Sequence, residues 1–334
     1  MQLMEILKAE GKVIPRKHRG RGKDSLDKAA IEKLAVKYED PRMIKLLEFK
    51  SRNTVVTRYF REAKTSRDTG RVHGVFSMHS VKHRWHCTDP NQQQVKRPEY
   101  LVVANEETGE ERKETHGPRC AYVPDNGKVF LGFDGDGLHY RIAGCLNRDP
   151  FIINTRTRYD KTGALEHKPH IVNACALFHV EAKKAIDWMN HKASQYIFAK
   201  NLIYMLLNGG TAPALYLAAV TAGLRLNVPE VEGLMGNWLN AAHYFKDWRE
   251  GLVREAQKTG KITLYDGRRR RFYNLRWKEG LWQAGPDEIK EIYNLPLIGT
   301  EVSYVNPRVE KVQDFCEDER EWEMILYDHD GFMS

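Results

Sequence analysis

Two aspartates stand where an apolar run gives way to a turn. The first is Asp134 in VFLGFDGDGLHYRIAG; the second is Asp330 in MILYDHDGF. An aspartate after several apolar residues is a poor core residue unless it is paired or bound to metal. Carboxylates delivered from two separate chain segments are what a pair of hard divalent cations needs. Such ions take anionic oxygen ligands and keep open positions for phosphate oxygens. The competing reading is an aspartate that caps a turn, a common use of strand ends. Spacing alone leaves both readings open.

The elements that must position these residues can be read from periodicity. SLDKAAIEKLAVKYEDPRMIKLLEFK has helical apolar spacing at Ile31, Leu34 and Ala35 and again at Ile44, Leu46 and Leu47, with Pro41 separating two helices. From 68 to 150 short β-type runs follow one another: RVHGVF, YLVVA and KVFLGF. Residues 107–118 read as an exposed polar loop. Helical periodicity returns from 170 to 258, and ITLYDGRRRRFYNL reads as strand–turn–strand about Asp266-Gly267. The order β region, helical insertion, β region predicts an α+β fold with one sheet interrupted by a helical subdomain.

Composition sets wide bounds. The chain has 334 residues, a formal charge of +8 and 41% hydrophobic residues, enough for a true core and too many for wholesale disorder. The basic balance favours a polyanionic partner. The five cysteines form no C-x-x-C pair, which argues against a zinc or redox motif and for reduced thiols in an intracellular protein. No apolar run approaches the roughly 18 residues of a membrane helix, and the N-terminus lacks the apolar region of a signal peptide. The expectation is a cytoplasmic protein of a bacterial or phage-infected cell, without a membrane partner. The basic loop PRKHRGRGK at 15–23 could hold phosphates through Arg16, Lys17, Arg19, Arg21 and Lys23, or be a solvated loop.

Several further segments carry recognisable patterns. DGDGLHYRIAG at 134–144 has the form Asp, three residues, then an amphipathic stretch with Arg141. YIFAKNLIYMLLNGG at 196–210 sets Tyr196, Lys200, Tyr204 and Asn208-Gly209 at spacings of four, on one helical face. By itself that stripe reads as an ordinary amphipathic helix with a snorkelling lysine. HIVNACALF begins with His170, HRWHCTDPNQQQV carries Arg84, Asn91 and Gln93, and DTGRVHGVF and GPRCAYVP contribute a Gly-Arg-x-His run and Arg119. DGRRRR at 266–271, NLPLIGTEV with Asn294, and YDHDGF with His329 complete the series. In this order they resemble the motifs of family A DNA polymerases, the group that contains bacterial DNA polymerase I and many phage replicases. The resemblance runs from about residue 24 to the C-terminus.

The resemblance implies a right-hand polymerase fold, with an antiparallel palm sheet and an inserted helical fingers subdomain. Subdomain limits follow: 1–66 partial thumb, 67–166 first part of the palm, 167–280 fingers, 281–334 second part of the palm. It implies a DNA-directed DNA polymerase adding dNTPs to a primer 3′ end, with Asp134 and Asp330 as ligands of two Mg2+ ions, Mn2+ being a substitute. Lys200 would act catalytically on the triphosphate. His170, Tyr204, Tyr196 and His139 would line the dNTP site with it. Arg84, Asn91, Gln93, Arg119, Asn294 and His329 would contact primer–template DNA.

Departures from the family pattern are equally specific. His139 stands where the family has a glutamate that helps exclude the ribose 2′-hydroxyl. Tyr196 replaces an arginine, Asn208 a tyrosine, Ile298 a glutamine and Gly331 a glutamate. Asp328, two residues before Asp330, is the candidate to replace that last charge. The thumb reads as short, no exonuclease domain precedes it, and the end at Ser334 leaves the second arm of the terminal hairpin missing. A second chain supplying the rest of the palm or an exonuclease is therefore an expected partner. The alternative is an incomplete or catalytically weakened fragment that binds primer–template DNA. A structure-specific nuclease would share the carboxylates and basic charge, and would call for a denser acidic cluster than Asp134, Asp136 and Asp330.

Overall fold

The computed structural model describes residues 2–15, 24–55, 57, 66, 68–78, 84–95, 99–104, 111–124, 126–319, 326–328 and 331–333. Among the described residues the chain opens with helices α1 (Gln2–Ala9), α2 (Lys28–Tyr38) and α3 (Pro41–Val55). Asp27 caps α2 by accepting from the Ala30 amide at 2.9 Å, and Pro41 opens α3, so the helix break falls where the sequence predicts it. Short strands follow among the described residues: β1 (Val75–Ser77), β2 (His86–Thr88), β3 (Glu99–Ala104), β4 (Glu111–His116) and β5 (Gly132–Asp134).

Helices then dominate. They are α4 (Leu138–Asn147), α5 (Pro150–Thr162), α6 (Pro169–Phe178), α7 (Ala182–Asn190), α8 (Ser194–Leu207), α9 (Ala212–Thr221), α10 (Val228–Ala241) and α11 (His243–Thr259). Two hairpins come next, β6 (Lys261–Thr263) with β7 (Arg269–Arg271), and β8 (Arg276–Lys278) with β9 (Leu281–Gln283). The long helix α12 (Pro286–Glu319) leads to β10 (Leu326–Asp328) and β11 (Gly331–Met333).

The chain forms two compact units, one of residues 1–47 and 137–301, the other of 48–136 and 302–334. In the first unit α6 is central, packed against α7, α8 and α10. Ile171, Ala174 and Leu177 of α6 meet Phe198, Leu202 and Leu206 of α8 and Trp238 of α10 in one buried cluster. Asn173 is buried there and hydrogen-bonded, its Oδ1 accepting from Trp238 Nε1 at 2.8 Å and from Tyr140 Oη at 3.4 Å.

A buried carboxylate joins two helix starts in the same unit. Asp149 caps α5, Oδ1 accepting from the Ile152 amide at 3.1 Å, while Oδ2 accepts from the Phe245 amide at 3.0 Å in the first turn of α11. Both bonds satisfy helix N-terminal donors that have no partner within their helix. Asp149→Ala strands both donors and is expected to lower unfolding free energy by about 2 to 4 kcal/mol, read from a urea midpoint at unchanged slope.

In the second unit the sheets are small and antiparallel. β1 pairs β2, β3 pairs β4, and β11 lies between β10 and β5. Two expectations are corrected. Residues 111–116, read as loop, form β4, because β3 offers a full register of backbone partners from Glu99↔His116 to Ala104↔Glu111. The second arm of the terminal hairpin is present as β11. KVFLGF, read as a strand, becomes one only at Gly132, and Val129 is exposed.

Candidate nucleotide and metal site

The residues fall into two groups, one in each unit. In the second unit the sheet β10-β11-β5 sets Asp134 opposite Gly331, and Gly331 opposite Asp328. Asp134 is exposed at the end of β5. Its carboxylate is a hard oxygen donor of the kind a divalent cation takes. No cluster of three or more metal-ligating side chains occurs among the described residues. Asp330 and His329 lie outside the described residues, between the paired Asp328 and Gly331. The basic residues 16–23 lie outside them too.

Alongside β10 runs the 3-10 turn Gln92–Gln94. Gln93 is buried, its Oε1 accepting from the Cys87 amide at 3.0 Å and its Nε2 donating to the Trp85 carbonyl at 3.1 Å. Its neighbour Gln92, which motif reading passed over, donates to the Val72 carbonyl at 2.7 Å. The two glutamines clamp the β1–β2 region. Arg84 and Asn91 are half-buried on either side of β2. Arg119 is half-buried in the 3-10 turn Pro118–Ala121.

In the first unit the stripe on α8 has the predicted form. Phe198, Ala199, Leu202, Ile203, Leu206 and Leu207 are buried, while Lys200 and Tyr204 are exposed one turn apart. No carboxylate pairs with Lys200 among the described residues. His170, at the start of α6, meets Tyr196 edge-on with ring centroids 6.4 Å apart. Partial burial pushes the Tyr196 phenol up, which keeps it neutral. Arg141 leaves α4 to bind Asp160 of α5 through two bonds of 2.8 and 3.1 Å, and this holds the Asp160 carboxyl below its ordinary value.

Below Tyr204 lies His139, buried, its ring 5.6 Å from the tyrosine ring and inclined by 4°. His139 Nε2 is 2.8 Å from Oε2 of Glu301, and Nδ1 is 3.3 Å from Asn208 Nδ2. Asn208 Nδ2 also donates to the Tyr204 carbonyl at 2.9 Å. Asn294 is buried and donates to Asn208 Oδ1 at 3.0 Å and to the Asn208 carbonyl at 3.4 Å. A glycine allows the close approach of α8 to α12. Gly209 ends α8 at φ 77°, and a Cβ there would stand 3.0 Å from the Lys290 carbonyl of α12. A Cβ on Gly299 would stand 2.8 Å from Leu264 Cδ1.

Motif reading missed Glu301. The available signal was a carboxylate inside the apolar run LPLIGTEV, which calls for a partner. The partner lies 162 residues away and could not be read from spacing.

These features define an α+β protein whose motif residues lie on short antiparallel sheets in one compact unit and on helices in the other. Family comparison matches residues 1–333 to DNA polymerase family A, and the chain belongs to that family. No curated protein matches in sequence. Among solved structures the chain is similar to the polymerase domain of Pol1 from M. smegmatis, determined in complex with DNA primer-template and dNTP. The TM-score is 0.67 at 20% identity, over 99% of this chain and 53% of that one. The chain thus spans about half the length of that neighbour, and the likeness speaks for the fold.

No helix among the described residues is long and apolar enough to cross a membrane.

Proposed function

We infer that this chain catalyses template-directed addition of dNTPs to a primer 3′ end. One observation carries the reading beyond family membership. β11 lies between β10 and β5, so the strands that precede and follow Asp330 in the sequence share one antiparallel sheet with the strand that ends in Asp134. The neighbour's complex with DNA primer-template and dNTP supplies the substrate class. In this reading the small sheets of the second unit belong to the palm, and α6 and α8 belong to the fingers.

Asp134 and Asp330 would hold two magnesium ions, which when bound supply Lewis acidity at the primer 3′-hydroxyl and the departing pyrophosphate. Lys200, an exposed ammonium on a rigid helix, neutralises charge on the triphosphate. His170 stands against Tyr196 on the same face and assists it. Tyr204 offers an exposed ring, 58% accessible, for stacking on the incoming nucleotide. Arg84, Asn91 and Arg119 serve primer–template DNA, with amides suited to minor-groove acceptors found on every base pair.

Primer extension on a labelled primer–template tests the reading. Products are expected with Mg2+ and dNTPs, and none after EDTA. If the wild type binds primer–template in a salt-dependent manner but never extends it, the weakened-fragment reading replaces this one.

A further inference from the structure

We propose that the exposed strip from Arg271 to Lys278, on the two hairpins that follow α11, binds single-stranded DNA: unpaired bases stack on Trp277 and Tyr273, and Arg271, Arg276 and Lys278 hold the phosphates. These residues are separate from those assigned above to the nucleotide and to primer–template DNA, and binding here requires no catalysis.

The strip is shaped by what lies beneath it. Phe272 and Leu275 are buried in one cluster with Leu252 and Ala256 of α11 and Ile262 of β6. Arg270, half-buried between the exposed Arg269 and Arg271, binds Glu291 of α12 at 3.0 Å. With these three positions anchored, the side chains between and after them stand in solvent. Tyr273 is 81% accessible, and Arg271, Arg276 and Lys278 are exposed. Arg271 and Arg276 have no carboxylate partner among the described residues, and Lys278 lies 3.4 Å from its neighbour Glu279. Between 261 and 283 seven basic residues stand against Asp266 and Glu279, a density of positive charge that suits a polyanion.

Charge alone would serve a duplex or an acidic protein as well. The aromatic rings separate these partners. Trp277 lies opposite Trp282 in the β8–β9 register, and the two rings meet edge-on, centroids 5.1 Å apart and planes inclined by 68°. Trp282 packs against the α11 cluster and anchors the hairpin, while Trp277 remains 58% accessible. The turn between them has Glu279 at φ 53° and Gly280 at φ 80°, the paired left-handed residues that match the twist of two short strands. Trp277 is thus held before anything binds, and a ring fixed in this way loses little freedom when a base stacks on it. In a duplex the base faces are covered by their neighbours, and an acidic peptide has no such face. A single strand offers bases for the rings and a phosphate at each step for the cations.

The test measures anisotropy of a labelled oligothymidylate and of a blunt duplex across a salt series. The variants are Trp277→Ala, Trp277→Phe, Tyr273→Ala and the double substitution Arg276→Gln with Lys278→Gln. Trp277→Ala is expected to weaken oligothymidylate binding at least about fivefold and duplex binding less than about twofold, with Trp277→Phe recovering most of the loss. The double variant is expected to lower the slope of log affinity against log salt by about 1.4 for the single strand, one counterion step for each cation. Single-strand binding by Trp277→Ala within about twofold of wild type, or an equal loss for duplex and single strand, would overturn the proposal. So would poly-glutamate that competes with oligothymidylate and is indifferent to Trp277→Ala, the behaviour of a surface for an acidic protein. Should Trp277→Ala loosen the hairpin, seen as a changed near-ultraviolet circular dichroism, Tyr273→Ala decides, because that exposed ring stands clear of the buried cluster. A loss of at least about fivefold confined to the single strand supports the proposal, and unchanged binding overturns it. A wild type that extends primers but does not bind oligothymidylate would overturn this proposal and leave the polymerase reading intact. Binding that depends on Trp277, without primer extension, would do the reverse.

Discussion

Asp134→Ala is expected to reduce primer extension by about a thousandfold or more, with primer–template affinity changed only a fewfold. Losing a metal ligand removes Lewis-acid stabilisation worth several kcal/mol, and about 4 kcal/mol corresponds to three decades of rate. The substitution should not unfold the chain. Asp134 is exposed at the end of β5, and β5 is held by backbone pairing of Gly132–Asp134 with Gly331–Met333. Substitutions at exposed positions generally cost little stability, and the melt reads that cost for Asp134 directly. Single-turnover extension at saturating Mg2+, with a thermal melt as control, reads both quantities. Wild-type-like extension by Asp134→Ala would remove this residue from the metal site and, with it, the mechanism inferred above.

The second large effect is at Lys200. Lys200→Ala is expected to lower kcat/KM for dNTP by about a hundred- to a thousandfold, the usual loss when one preorganised charge-stabilising donor is removed. The loss should appear in both parameters, because the ammonium meets the triphosphate in the ground state and again as charge builds on the leaving group. Packing offers no competing explanation. Lys200 is exposed, while the buried face of α8 is made by Phe198, Leu202 and Leu206. Kinetics of Lys200→Ala within about threefold of wild type would return this stripe to an ordinary amphipathic helix with a snorkelling lysine. Lys200→Arg need not rescue, because a planar guanidinium meets a phosphate differently from a compact ammonium.

Much of the local structure was legible in the sequence, because it depends on neighbours within one or two turns. The four-residue spacing of Tyr196, Lys200 and Tyr204 determined that they share a helical face, and α8 presents Lys200 and Tyr204 to solvent. Asp27 before an apolar stripe marked a helix start, and Asp266-Gly267 marked a hairpin turn. The motif order over most of the chain pointed to the family that matches residues 1–333.

Other features depend on partners far along the chain. Nothing within 107–118 announces a strand; β4 exists because β3 supplies its hydrogen bonds. The bonds that Gln93 makes with the Cys87 amide and the Trp85 carbonyl could not be read from spacing. His139, Asn208 and Glu301 read singly as two departures and an unremarked carboxylate, and only the tertiary structure makes them one chain of hydrogen bonds. The physical reason is common to all of these. Helical periodicity, capping and turn geometry are short-range properties of the backbone and its nearest side chains. Strand pairing and buried polar satisfaction are settled by whichever groups the folded chain brings together, and spacing along the sequence does not encode that choice.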